Sequence, residues 1–82
     1  MLINVEHDEE IATFKVQQFA KLYESTKSNF DLTEPFYFTY NHNDKLATIK
    51  NDEGLEVCAA RFKDRDEIDL KVKMKKKETL HM

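Results

Sequence analysis

The chain has 82 residues, of which 40% are hydrophobic and 35% are charged, and its formal net charge is −3 at pH 7. This length supports one hydrophobic core, and six Phe with three Tyr supply enough apolar surface to fold, which excludes an intrinsically disordered protein. A single Gly and a single Pro argue against long loops and against a glycine-rich phosphate-binding loop.

Cysteine content and hydropathy indicate the compartment. The one cysteine, Cys58, cannot form an internal disulfide, which favours a reducing cytoplasm. The N-terminus lacks the basic start and apolar run of a signal peptide, and no stretch approaches the roughly 20 apolar residues of a membrane-spanning helix. We expect a cytoplasmic protein without membrane contact, with one domain over residues 1–77 and a flexible tail over residues 78–82.

The N-terminal part of the chain has a helical pattern. Residues 2–5 are mostly apolar and form either a short extra strand or a hydrophobic lead into the helix. Asp8 and the two acids after it are typical of a helix N-terminus. Apolar side chains then recur at helical spacings, which predicts one helix over about residues 8–26. Its wide apolar face needs a second partner, either the connection over residues 30–35 or another copy of the chain.

The middle of the chain has the pattern of antiparallel strands. Residues 36–40 and 45–50 are β-prone and flank a polar turn over residues 41–44, which predicts a hairpin. Gly54 suits the left-handed position of a bulged turn. That turn would lead into a third strand over residues 55–62.

The last strand-like stretch, residues 67–77, alternates apolar and polar side chains. This period predicts a strand with one buried face. The buried face would consist of Ile68, Leu70, Val72 and Met74. The predicted fold is therefore α+β: one N-terminal helix packed on a four-stranded antiparallel β-meander, with or without the short extra N-terminal strand.

The outer face of this sheet is the first candidate site. Tyr37, Leu46 and Phe62 make it more apolar than a solvated face usually is, and such patches often mark association sites. The alternative is that the chain tails or Leu32 cover this face. The predicted partner-binding residues are Tyr37, Leu46, Phe62, Lys71 and Lys73.

The lysines near the C-terminus are the second candidate, because lysine rows can bind phosphates. The nucleic-acid-binding residues in this alternative are Arg61, Lys63, Arg65, Lys71, Lys73, Lys75, Lys76 and Lys77. Lysines on an edge strand also prevent aggregation between sheets, and the acidic chain favours that interpretation. Residues 1–35 carry seven acids and three lysines, a charge of −4, so the remainder has +1. This division suits a dimer or a basic partner as much as nucleic acid.

Catalytic and metal-binding patterns are weak. His42 lies in a predicted turn beside Asp44, but no further ligand has a diagnostic spacing. Cys58 lies within a predicted strand and is expected to be a half-buried structural residue. The acids around Asp64 lack the glycine and spacing of a calcium loop. We predict no cofactor, no metal site and no catalytic residue.

These observations predict a small non-enzymatic protein that binds another protein or a second copy of itself. It would act as an adaptor, an inhibitor or a regulatory module, in a bacterium or encoded by a phage or another mobile element. Nucleic-acid binding through the lysine row is the alternative function.

Overall fold

Two β-hairpins and two helices alternate along the chain and lead to a single central strand. The computed structural model describes residues 2–15 and 18–75, and within them it has five strands and two helices. The strands are β1 (Leu2–His7), β2 (Glu10–Phe14), β3 (Phe36–His42), β4 (Lys45–Ile49) and β5 (Glu67–Met74); the helices are α1 (Phe19–Asn29) and α2 (Asp52–Arg61).

The strands form one mixed sheet in the order β2-β1-β5-β3-β4. Strand β5 runs parallel to β1, with Val5 opposite Leu70, and antiparallel to β3, with Phe38 opposite Val72. Each hairpin therefore lies on one side of β5. The prediction that the lysine row protects a sheet edge is wrong, because β5 is the central strand. Lys76, Lys77 and the predicted tail over residues 78–82 lie outside the described residues.

The first hairpin replaces the N-terminal part of the predicted helix. Asp8 and Glu9 both have positive φ values, of 49° and 68°, as a two-residue type I′ turn requires. The prediction of one helix over residues 8–26 is wrong in this half, because β1 buries Ile3 and Val5 against β5 and draws the next residues into strand β2. The short extra N-terminal strand is confirmed as β1.

Helix α2 replaces the predicted third strand. Asn51 caps it, with Oδ1 accepting a hydrogen bond from the Gly54 backbone N–H at 2.8 Å. Gly54 lies in the first turn and has no positive φ, so the predicted bulged turn is also wrong. Leu55 and Cys58, three residues apart, point into the core from one helical face. The meander prediction failed here because a cap and a turn use the same polar residues.

The core lies between the two helices and one face of the sheet. Leu22 of α1 is fully buried, Tyr23 stacks on Phe36 with ring centroids 4.2 Å apart, and Phe19 meets Phe38 edge-on at 6.0 Å. The buried hydrophobic residues are Ile3, Val5, Leu22, Leu32, Phe36, Phe38, Tyr40, Ile49, Leu55, Cys58, Ile68 and Leu70. The predicted hairpin of β3 and β4 and the buried face of the last strand are confirmed.

Candidate functional site

The face of the sheet opposite the helices, termed here the open face, presents the polar members of each strand. Because side chains alternate across a strand, the burial of Ile3, Phe38 and Leu70 on the helix side places their neighbours on the open face. The open face consists of Leu2, Asn4, Glu6, Ile11, Thr13, Tyr37, Thr39, Leu46, Thr48, Glu67, Asp69, Lys71 and Lys73. It therefore brings together four of the five predicted partner-binding residues.

Two exposed aliphatic side chains stand at opposite edges of the open face. Ile11 on β2 is 67% exposed and Leu46 on β4 is 68% exposed. They occupy equivalent places, because each is the second residue of the second strand of its hairpin. The sequences agree with this, since residues 7–15 and 42–50 share His, Ala, Thr and Lys at four of nine positions. The shared Ala-Thr pair is visible in the sequence, but by itself it does not predict two equivalent hairpins. The two hairpins therefore give the open face one exposed aliphatic side chain at each edge.

One half of the open face is acidic and has an ordered hydrogen-bond network. Asn4 Nδ2 donates to Glu67 Oε1 at 2.8 Å and to Asp69 Oδ1 at 2.9 Å. Thr13 Oγ1 in turn donates to Asn4 Oδ1 at 2.7 Å. Because the two carboxylates share one neutral donor, their negative charges are held in position and are not neutralised.

The other half is basic and surrounds an aromatic ring. Lys71 and Lys73 follow the two acids on the same face of β5, and Lys73 lies opposite Tyr37 on β3. Lys50 Nζ lies 5.2 Å from the centroid of the Tyr37 ring, within cation–π range. The open face thus changes sign along the central strand, from acidic to basic.

Few of these charges are paired within the chain. Among residues 2–15 and 18–75, the one side-chain ion-pair contact joins His7 Nε2 to Asp8 Oδ2 at 3.5 Å, away from β5. Glu6 and Lys71 are opposite one another in the sheet register without forming such a contact. The charges of the open face are therefore available to a partner.

A cleft opens where β3 and β5 diverge. Their pairing ends at Thr39 and Lys71, and beyond this point lies a cavity of about 530 Å³. It is lined by Asn4, Glu6, Ile11, Thr39, Tyr40, Asn41, Leu46, Phe62, Arg65, Ile68, Asp69, Leu70 and Lys71. Phe62 was predicted to lie on a strand of the outer face. It instead follows α2 and lines the cleft half-buried, with its ring 5.7 Å from that of Tyr40.

The basic residues of the nucleic-acid alternative form two separate groups. Arg61 donates to the Tyr40 hydroxyl at 3.0 Å, and the Arg65 guanidinium lies 5.8 Å from the centroid of the Phe62 ring, both before β5. The second group is Lys71, Lys73 and Lys75, with Lys63 exposed in the loop of the first group. The acids Asp66, Glu67 and Asp69 lie between the groups along the chain. A phosphate backbone that followed this path would cross an acidic segment.

The residues considered for catalysis or metal binding, Cys58 and His42, are packed against other side chains. Cys58 is fully buried on α2, and burial raises the pKa of its thiol to about 11, although Arg61 partly opposes this shift. His42 is half-buried, with its ring 5.8 Å from that of Phe62. In the described part of the chain, no three His, Cys, Asp or Glu side chains are grouped as metal ligands. No helix in that part is long and apolar enough to cross a membrane.

Comparison with known proteins finds a similar fold among solved structures. No protein-family model and no curated protein sequence matches the chain. Among solved structures, the AtNBR1-PB1 domain matches with a TM-score of 0.73, over 92% of this chain and 97% of that chain, at 17% identity. The chain has the fold of a PB1 domain. At this identity the similarity is one of architecture alone.

Proposed function

We propose that this PB1-like domain is a non-enzymatic protein-binding module and that the open face is its binding surface. The observation that supports this most directly is the pairing of exposed Ile11 and Leu46 at the two edges of an otherwise charged face. Interfaces of soluble proteins combine such apolar anchors with polar groups that set orientation. A module of this kind serves as an adaptor, inhibitor or regulator. The structural match to a PB1 domain supports a small interaction module.

The proposed contact residues follow from the geometry. Tyr37, Lys71 and Lys73 lie together on the basic half, and Leu46 lies at the adjoining edge. Phe62 contributes from the lining of the cleft. Ile11 is added to the residues predicted from the sequence, because its exposure and its place in the first hairpin match those of Leu46.

Site-specific photo-crosslinking in the native cells tests this proposal. A photoreactive amino acid at position 46 is expected to form a protein adduct. The matched control is position 57, since Val57 is an exposed aliphatic residue on α2, 44% accessible, away from the open face. Position 46 should give a discrete adduct that is lost when Lys71 and Lys73 are replaced by Glu. Equal labelling from positions 46 and 57 would refute a binding surface on the open face.

A further inference from the structure

The order of charges on β5 is complementary to itself. On the open face the strand presents Glu67, Asp69, Lys71 and Lys73, which is two negative charges followed by two positive charges. The change of sign falls at Leu70, whose own side chain is buried on the other face. A surface that is complementary to itself is what a two-fold symmetric interface requires, because each contact occurs twice with the partners exchanged.

From this pattern we propose that the occupant of the open face is a second copy of the chain, related by a two-fold axis that passes over Leu70. This inference rests on the proposed function of the open face and specifies its partner. The axis lies between the two sheets and perpendicular to β5, so the two central strands cross antiparallel. The dimer is a sandwich of two sheets about 10 Å apart, with the helices on its outer sides.

The sheet register determines which charges meet. Asp69 and Lys71 lie one residue on either side of Leu70, and Glu67 and Lys73 lie three residues on either side. Rotation about the axis therefore places Lys71 over Asp69 of the second copy and Lys73 over Glu67 of the second copy. Each pair occurs twice, so four ion pairs cross the interface. An axis parallel to β5 would instead stack like charges, which is unfavourable.

The edges of the sheet support the same axis. Rotation about an axis perpendicular to the strands keeps each edge strand over the same strand of the second copy. The two Ile11 side chains therefore meet at one edge and the two Leu46 side chains at the other. These contacts bury the exposed aliphatic residues of both hairpins and flank the charged centre, where removal of water strengthens the ion pairs.

Hydrogen bonds within the chain favour this arrangement further. Asn4 orients the carboxylates of Glu67 and Asp69 before any partner binds. Less side-chain freedom is then lost on association, and preorganised groups bind more tightly for that reason. The lysines opposite them supply mobile ammonium groups that adjust to the fixed acids.

The experiment is a charge-exchange mixture in analytical ultracentrifugation. Variant K71E/K73E has a wholly acidic central strand and variant E67K/D69K has a wholly basic one. We expect the wild type to dimerise in the micromolar range or above, as small interfaces do, and to weaken with salt. Each variant alone should associate about 100-fold more weakly, whereas an equimolar mixture should dimerise within about tenfold of the wild type.

Two further variants separate geometry from general charge effects. The fourfold exchange E67K/D69K/K71E/K73E should dimerise with itself but not with the wild type, because its charges oppose those of the wild type at every pair. I11S/L46S should weaken the dimer about tenfold without altering its salt dependence. Circular dichroism confirms that each variant is folded. If E67K/D69K does not fold, E67Q/D69N keeps the acceptors for Asn4 and should still weaken the dimer.

The outcomes distinguish this inference from the proposed function. A wild type that stays monomeric to about 1 mM overturns the dimer. A crosslinked adduct of a different protein at position 46 would then still support a binding surface. A wild-type dimer that neither variant weakens, or that the mixture does not restore, overturns the two-fold axis over Leu70. Salt-sensitive binding of a DNA or RNA oligonucleotide in place of self-association would also overturn the inference and support the nucleic-acid alternative.

Discussion

Asp52 stabilises two helices at once, and its replacement by Ala should destabilise the fold more than replacement of its neighbour. Its Oδ1 accepts a hydrogen bond from the Phe19 backbone N–H at 2.8 Å, at the start of α1. Gln18, the N-cap residue of α1, makes no side-chain cap bond, so Asp52 supplies this contact from α2. Loss of an N-cap acceptor costs about 1 kcal/mol. Asp52 is also in the first turn of α2, where a negative charge contributes about 0.5 kcal/mol.

Asp52→Ala should therefore lower the free energy of unfolding by about 1.5 kcal/mol. Glu53→Ala is the matched control, because it removes an acid from the same turn and should cost only about 0.5 kcal/mol. Asp52→Asn keeps the acceptor and should resemble the control. Urea denaturation followed by far-ultraviolet circular dichroism measures the stability of all three variants. In thermal denaturation the melting temperature of D52A should lie about 4–8 °C below that of E53A. Equal losses for D52A and E53A would refute the contact between the helices.

Three further predictions concern the core and the helix ends. The hydroxyl of Thr26 is fully buried and has no hydrogen-bond partner among the described residues. Thr26→Val should therefore raise the free energy of unfolding, measured by urea denaturation, by about 1 kcal/mol. A lower free energy of unfolding in the variant would indicate a partner for the hydroxyl. Gly54 has no positive φ, and an added Cβ would lie 3.4 Å from the Ile49 Cα. Gly54→Ala should therefore leave the free energy of unfolding unchanged or raise it by up to about 1 kcal/mol. A clear fall in the melting temperature would reveal a clash with β4. Burial raises the pKa of Cys58 to about 11, so the folded state keeps a proton that the unfolded chain loses above pH 9.0. Between pH 9 and pH 11 the free energy of unfolding should therefore fall by about 2 kcal/mol more in the wild type than in C58A. Parallel curves of stability against pH for the two proteins would contradict this.

The sequence predicted the strands whose local pattern agrees with their place in the sheet. In β5 the alternation of Ile68 and Leu70 with charged residues survives intact, since one face packs on helices and the other is open. The hairpin of β3 and β4 was predictable because Asn43 and Asp44 tolerate the positive φ of its turn. These elements depend mainly on neighbours in sequence.

The elements that failed depend on distant contacts. Residues 11–14 belong to a strand because β1 pairs with β5, some 65 residues later in the chain, and no local signal reports this parallel pairing. Residues 52–61 alternate in hydrophobicity well enough for a strand. They form a helix whose start is stabilised by the hydrogen bond from the Gly54 N–H to Asn51 Oδ1. The central position of β5 follows only from the topology, and it places Lys71 and Lys73 in the middle of the sheet and not at an edge.

The grouping of the candidate residues on one face was predicted in part. Tyr37, Leu46, Lys71 and Lys73 were assigned to one face from the alternation of three predicted strands, and the sheet places them there. Ile11 was missed because the prediction placed it in a helix. The correspondence of Ala12-Thr13 with Ala47-Thr48 is the sequence signal that points to its place.

A concentration series of proton–nitrogen correlation spectra tests the central claim, that the open face binds a second copy, most directly. Between about 10 µM and 1 mM the amide signals of β5 and the two edge strands should shift together with one dissociation constant. Signals from the exposed side of α2, such as Val57, should not move. Spectra that do not change with concentration, or shifts confined to the helices, would contradict a dimer formed through the open face.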